Sequence, residues 1–329
     1  MKRRSFVRFL GGAAAACVFT ASPQQPQPMR RIAVFSYQSA DDPEAQLYMA
    51  AFLKRLQELG WTVGRNMQID YRWTASNADR TDKYATELAG LSPEVVLTAG
   101  GRNVGALLRA TRTLPIVFVQ VADAVGSGYV SSLSRPGGSA TGITNFDFNF
   151  STKWLELLKQ IAPRTSRVAV LQDPTNPTGP GQVAAIRGAA ASFAIDVVPV
   201  SLRDADEMER GIDAFAREPH GGLIVTPTGL AIVRRDLVIS LAARHALPAI
   251  YPFRYFATGG GLLSYGPDVV DQYRQAAGYI DRILRGAKPA DLPVQQSSKI
   301  EMVINLKTSK ALGLPIPQPL LSRADDVIE

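Results

Sequence analysis

Two kinds of hydrophobic pattern alternate along this chain. Short runs rich in β-branched residues, at 31–35, 67–73, 94–98, 116–121 and 141–144, read as buried strands. Between them apolar residues recur every three or four positions; Tyr48, Phe52, Leu56 and Leu59 form one such face, and Gly60 supplies its stop. The second half repeats the plan, with strands predicted at 167–171, 196–200, 222–225 and 248–251. Helical faces there carry Trp154, Leu158 and Ile161, and Tyr273, Ala277, Ile280 and Leu284. Alternation of this kind predicts an α/β chain built as two Rossmann-like lobes, each on a parallel sheet.

The halves also echo one another. Arg31-Ile32-Ala33-Val34-Phe35 is matched by Arg167-Val168-Ala169-Val170-Leu171, Val95-Val96-Leu97-Thr98 by Leu223-Ile224-Val225-Thr226, and Leu114-Pro115-Ile116-Val117-Phe118 by Leu247-Pro248-Ala249-Ile250-Tyr251. The three echoes fall in the same order, so two lobes of one topology are expected.

Ligands of open parallel sheets gather beyond the carboxyl ends of the strands, because loops there reach a ligand without displacing the covering helices. In the first half those ends nominate Tyr37 and Gln38, then Gly100, Gly101 and Asn103, then Asp123. In the second they nominate Asp173, Thr226, Thr228, Tyr251 and Arg254. Facing each other, the two edges would line a cleft suited to a small amphipathic solute. Each residue also has a plainer reading. The glycines either bring backbone N–H groups to an anion at a helix start or make a tight turn. Asp173 either pairs with an ammonium or starts a turn before Pro174, Tyr37 and Tyr251 either stack on a ligand or cap the cores, and Arg254 either clamps a carboxylate or forms a surface ion pair.

Length and composition fit this picture: 329 residues, 46% hydrophobic and 20% charged, suffice for two globular domains. The first residues stand apart. Lys2, Arg3, Arg4 and Arg8 precede a short apolar stretch at 9–21, the layout of an export signal, and Arg3-Arg4-Ser5-Phe6-Val7-Arg8 resembles a twin-arginine signal. An ordinary secretory leader is the alternative, and cleavage is expected near Ala21-Ser22. A third possibility is a weak lipobox ending at Cys17, where a lipid anchor would attach. The expected location is periplasmic. Cys17 is the only cysteine, so a chain cleaved after it has no thiol nucleophile or disulfide. Loss of the leader cations lowers Lys plus Arg from 36 to 32 against 29 acids, which is too little positive charge for a nucleic-acid partner.

No nucleophile elbow, phosphate loop or dinucleotide fingerprint occurs, and neither His220 nor His245 has a neighbour at metal-ligand spacing. Neither catalysis nor a cofactor or metal is expected.

Long ordered segments carry a resemblance: the leader with Gly11-Gly12; Val-Gly-Ser-Gly-Tyr-Val-Ser-Ser-Leu-Ser-Arg-Pro-Gly-Gly at 125–138; Thr-Gly-Ile-Thr at 141–144; Leu-Pro-Ala-Ile-Tyr-Pro-Phe-Arg at 247–254; Ser-Tyr-Gly at 264–266; Gly-Ala-Lys-Pro-Ala-Asp-Leu-Pro at 286–293; and Val-Ile-Asn-Leu-Lys-Thr at 303–308. Together they resemble the ABC transporter substrate-binding family that includes tryptophan-binding-like receptors. The resemblance implies a type 1 periplasmic-binding fold whose lobes, 29–145 with 265–296 and 146–264 with 297–329, are joined by three crossings. These would fall near 145–150, 255–265 and 295–299. It adds Asn145, Phe146 and Tyr265 to the cleft candidates. The implied function is an exported receptor, acting as a monomer, that closes on a small amphipathic solute, an amino acid or aromatic acid being favoured. Its partners would be an ABC permease and its ATPase. A sensory receptor of the same fold and a periplasmic α/β hydrolase are the alternatives. Where relatives carry Asp-Pro, this chain has Asp123-Ala124, which leaves that loop less rigid.

Overall fold

The computed structural model describes residues 29–145, 148–174, 176 and 178–329. The leader and Phe146 lie outside them.

The chain starts with β1 (Arg30–Ser36), α1 (Pro43–Glu58), β2 (Met67–Trp73), α2 (Ala78–Leu91), β3 (Val95–Ala99), α3 (Gly101–Ala110), β4 (Ile116–Val121) and β5 (Ala140–Thr144). It continues through α4 (Ser151–Ile161), β6 (Arg167–Gln172), α5 (Thr178–Ala190), β7 (Asp196–Ser201), α6 (Ala205–Phe215), β8 (Gly221–Val225), α7 (Gly229–Val233), α8 (Arg235–Arg244), β9 (Ala249–Tyr251) and α9 (Arg254–Thr258). Last come β10 (Leu263–Pro267), α10 (Val269–Leu284), β11 (Gln295–Gln296), β12 (Ile300–Asn305), α11 (Leu306–Ala311), α12 (Gln318–Leu321) and β13 (Asp326–Ile328).

Among the described residues the strands form two sheets, in the orders β11-β5-β4-β3-β1-β2 and β13-β12-β10-β9-β8-β6-β7. All pairs of the first are parallel. In the second only β10 with β12 is antiparallel. The strands are predominantly apolar where helices cover both faces: β3 and β4 are buried at every position.

Local chemistry sets the helices. Asp42 caps α1, its carboxylate accepting from the Glu44 and Ala45 N–H groups at 2.9 and 3.2 Å, and Pro43 follows as a pre-set first residue. The face Ala45, Tyr48, Met49, Phe52 and Leu56 is buried. Each large member contributes about 1.5–3 kcal/mol. Asp268 caps α10 in the same way, and Tyr48 stacks on Tyr273 of α10 with ring centroids 5.2 Å apart.

The chain passes between the sheets after β5, after β10 and after β11. The middle passage lies later than the boundary at 264–265. β10 stays bonded to β12 through Pro267, and α10 begins directly afterwards, packed on α1 and β4. Tyr265 is therefore a residue of the second sheet.

Candidate functional site

A cavity of about 480 Å³ opens between the carboxyl ends of the two sheets. From the first sheet its wall takes Tyr37 after β1, the turn Ala75-Ser76-Asn77 after β2, Gly100 to Asn103 after β3, and Gln120 within β4. From the second it takes Asp173 and Asn176 after β6, Leu202 to Ala205 after β7, Pro227 and Gly229 after β8, and Phe253 after β9. Most wall residues thus lie at or shortly after a strand end, with others from α2 and α7, as the geometry of open parallel sheets leads one to expect.

Tyr37 stands at the centre. It is only 6% exposed, its hydroxyl donates to the Gln120 side-chain oxygen, and burial pushes its phenol well above the usual range. One edge of the ring faces Gly100, where a Cβ would come within 2.8 Å, and the other faces Gly229 of the second sheet, where a Cβ would come within 3.4 Å. Gly100 also has φ +84°, so glycine is needed there twice over. The adjoining wall is strained: Ala75 and Ser76 are left-handed at φ +49° and +56°. They are held by N–H donation to the backbone carbonyls of Gln38 and Tyr37, at 3.3 and 2.7 Å.

Ion pairs join the sheets. Arg102 at the start of α3 lies 3.5 Å from Asp173, and Arg235 at the start of α8 lies 2.7 Å from Asp42. Helix starts converge as well. Asn77 caps α2 and Asp204 caps α6 with their side chains, whereas α3 begins at Gly100 with no side-chain cap, leaving its first N–H groups open to an anion. Cations (Arg102, Arg203, Arg234) and anions (Asp79, Asp173, Asp204) both reach the wall, beside apolar Leu230, Ile232 and Phe253. The arrangement can hold a small molecule with charged and apolar parts. Among the described residues no group of three or more metal-ligating side chains could hold a metal ion.

Of the residues nominated from strand ends, the cavity brings together Tyr37, Gly100, Gly101, Asn103 and Asp173. The others lie elsewhere. Gln38 is buried behind the wall, its side chain directed to Asp42. Thr226 donates to the Leu171 carbonyl and Thr228 caps α7, so both support the wall from behind. Asp123, at φ +40°, accepts from the Gly126 N–H at 2.7 Å and makes a turn. Tyr251 packs in the core against Phe256, ring centroids 5.0 Å apart. Tyr265 stacks on Phe150, and its carbonyl accepts from the Trp154 indole. Arg254 pairs with Asp326 at 2.6 Å and lines a second hollow of about 150 Å³ that also includes Glu44 and Glu301. Asn145 is buried where the chain leaves β5.

Sequence reasoning passed over the ends of β2 and β7, and so missed Ser76, Asn77, Leu202, Arg203 and Asp204. Applying the carboxyl-end rule to every strand would have found them. Arg102 and Asn176 sat one and three residues from nominated positions.

This architecture agrees with what known proteins show. Residues 32–328 match the family described as ABC transporter substrate binding protein. The chain belongs to that family. Its members bind small-molecule solutes and work with a permease and an ATPase; it is not a family of enzymes. A relative named tyrosine-binding protein, from Clostridioides difficile (strain R20291), is 24% identical over 278 residues, covering 84% of this chain and 79% of the relative. A crystal structure of a conserved domain protein from Vibrio cholerae superposes with a TM-score of 0.85 at 25% identity, over 91% of this chain and 99% of that one. The ABC domain from Streptococcus pneumonia in complex with L-Trp superposes with a TM-score of 0.81 at 23% identity, over 90% and 100% of the two chains. The fold is of the type 1 periplasmic-binding class.

Proposed function

We propose that this substrate-binding protein is the exported, periplasmic receptor of an ABC importer, and that it closes as a monomer on an amino acid, with an aromatic or other amphipathic side chain favoured. The observation that carries the reading is the cavity itself: strand ends of both sheets converge on it, and the wall combines an uncapped helix start, charges of both signs and an apolar flank. In this reading the ligand carboxylate meets the N–H groups at the start of α3 near Arg102. The ammonium meets Asp173, and the side chain lies along Tyr37, Leu230 and Phe253. The names of the tyrosine-binding relative and of the L-Trp complex support the ligand class.

Two lobes, one on each sheet, hinge at the passages after β5, β10 and β11. The Arg102–Asp173 and Arg235–Asp42 pairs form as the cleft shuts, so a ligand that touches both walls binds the closed state better and shifts the population towards it. Nothing is turned over; the solute is handed on unchanged.

A thermal-shift screen of the purified protein against the proteinogenic amino acids and aromatic acids tests this. A ligand at a hundredfold excess over its dissociation constant adds about 2.7 kcal/mol, visible as a raised Tm. Asp173→Asn abolishes the shift while leaving the Tm of the unliganded protein in place. Absence of a shift with every compound would refute the reading.

A further inference from the structure

Gln272 lies one turn inside α10, is not part of the cavity wall, and is completely buried. Its carboxamide is engaged at both ends. Oε1 accepts from the backbone N–H of Gln120 at 2.9 Å. Nε2 donates to Asn145 Oδ1 at 2.7 Å and to Ser297 Oγ at 2.8 Å.

What it reaches matters more than how much. Asn145 is the first residue after β5, where the chain leaves the first sheet for α4. Ser297 is the first residue after β11, where the chain leaves the first sheet for β12, and its own N–H donates to the Thr144 carbonyl at 3.0 Å. Gln272 itself follows the third passage, since β10 ends at Pro267 and the Asp268 carbonyl accepts the Gln272 N–H. One carboxamide therefore fastens the two outgoing passages to the helix that closes the third.

Its remaining bond leads to the cavity. Gln120 is left-handed, at φ +56°, where the register between β4 and β5 shifts between Phe118 and Val121. A non-glycine residue keeps that conformation only if its surroundings hold it, and the Gln272 oxygen does so by taking its N–H. Turned this way, the Gln120 side chain lines the cavity and accepts from the Tyr37 hydroxyl. A continuous chain of bonds thus runs from Tyr37 through Gln120 and Gln272 to Asn145 and Ser297.

We infer that Gln272 is a positioning residue that couples occupancy of the cavity to the hinge, by fixing the Tyr37–Gln120 wall relative to all three interlobe passages. It does not touch the ligand. The inference deepens the receptor reading and rests on it. Only a carboxamide serves: a carboxylate keeps the acceptor for Gln120 but loses both donors, and a thioether of similar length loses all three bonds.

The test places spin labels at Thr86→Cys on α2 and Ser192→Cys after α5, both exposed and on opposite sheets, in a Cys17→Ser background, and measures their distance distribution with and without L-tryptophan and L-tyrosine. Gln272→Met is expected to broaden the distribution of the unliganded protein and to weaken amino-acid affinity about tenfold. Gln272→Glu is expected to do the same. If the latter two fail to fold, Ser297→Ala, which removes one bond at a half-buried position, is expected to give a smaller broadening in the same direction. A lowered Tm with unchanged distances and unchanged affinity would mean that Gln272 is merely structural and would overturn the inference. If neither amino acid moves the labels in the parent protein, the ligand assignment fails, while the unliganded comparison still decides the role of Gln272.

Discussion

The Arg235 guanidinium lies 2.7 Å from Asp42 Oδ2 and ties α8 on the second sheet to α1 on the first. With side chains only 19% and 7% exposed, the two charges are largely removed from water, so each depends on the other. Asp42 Oδ1 meanwhile caps α1. The two oxygens of one carboxylate thus serve the local fold and the contact between sheets separately.

That division predicts how Asp42→Asn behaves. Asparagine is as good a cap as aspartate, so the stability of the unliganded protein stays within about 1 kcal/mol of the parent. The pair with Arg235 is lost, and amino-acid affinity falls about tenfold or more by calorimetry. An unliganded protein destabilised as much as the complex would show that the pair is permanent and not a closure contact.

Gly229→Ala reports on closure by sterics. The added Cβ would stand 2.6 Å from Ser76 Oγ and 3.4 Å from the Tyr37 ring, both across the cleft. Affinity should drop with little change in the Tm of the unliganded protein. Gly100→Ala differs, because its φ of +84° and its clash with Tyr37 lie within the first sheet, and it should cost about 1–3 kcal/mol of stability with or without ligand. Urea unfolding separates the two.

Burial raises the Glu44 carboxyl pKa above its ordinary value, and the same cause raises Glu301 across the small hollow beside Arg254. A carboxyl whose pKa is higher folded than unfolded disfavours the folded state once it is ionised, and the penalty disappears as pH falls through the folded pKa. Glu44→Gln should therefore raise the Tm at pH 7, with the gain shrinking as the pH is lowered through the carboxylate range. A gain that is constant with pH would exclude this origin.

Truncated ligands probe the division of charge in the cavity. Tryptamine lacks the carboxylate assigned to the start of α3, and indole-3-propionate lacks the ammonium assigned to Asp173. Each should bind at least tenfold more weakly than L-tryptophan by calorimetry, because one charge-assisted contact of the ligand is lost. Equal binding of one of them would remove that half of the assignment.

The fold was largely legible in the sequence, since buried parallel strands such as Val95–Ala99 and Ile116–Val121 read as short runs dominated by apolar, β-branched residues. β10 was harder: Leu-Ser-Tyr-Gly-Pro has no β-branched residue, and its sheet is decided by antiparallel pairing with β12, a contact between distant segments. In the cavity, residues that directly follow strong strands, Tyr37, Gly100 and Asp173, could be nominated from strand ends alone. Gln120 could not, because it reads as an interior strand residue and reaches the wall only through a left-handed backbone at a register shift. Tyr251 and Arg254 follow a strand end equally well, yet one ring turns into the core and the other charge finds Asp326. Sequence proximity to a strand end gives a position, while side-chain direction depends on packing from elsewhere in the chain.

Isothermal titration of the purified protein with L-tryptophan, L-tyrosine and the remaining proteinogenic amino acids, followed by recovery of the ligand, tests the central claim most directly. The account predicts saturable binding of at least one of them at one site per chain, a negative heat-capacity change from burial of apolar surface, and unchanged ligand afterwards. No binding of any amino acid, or recovery of a chemically altered one, would contradict it.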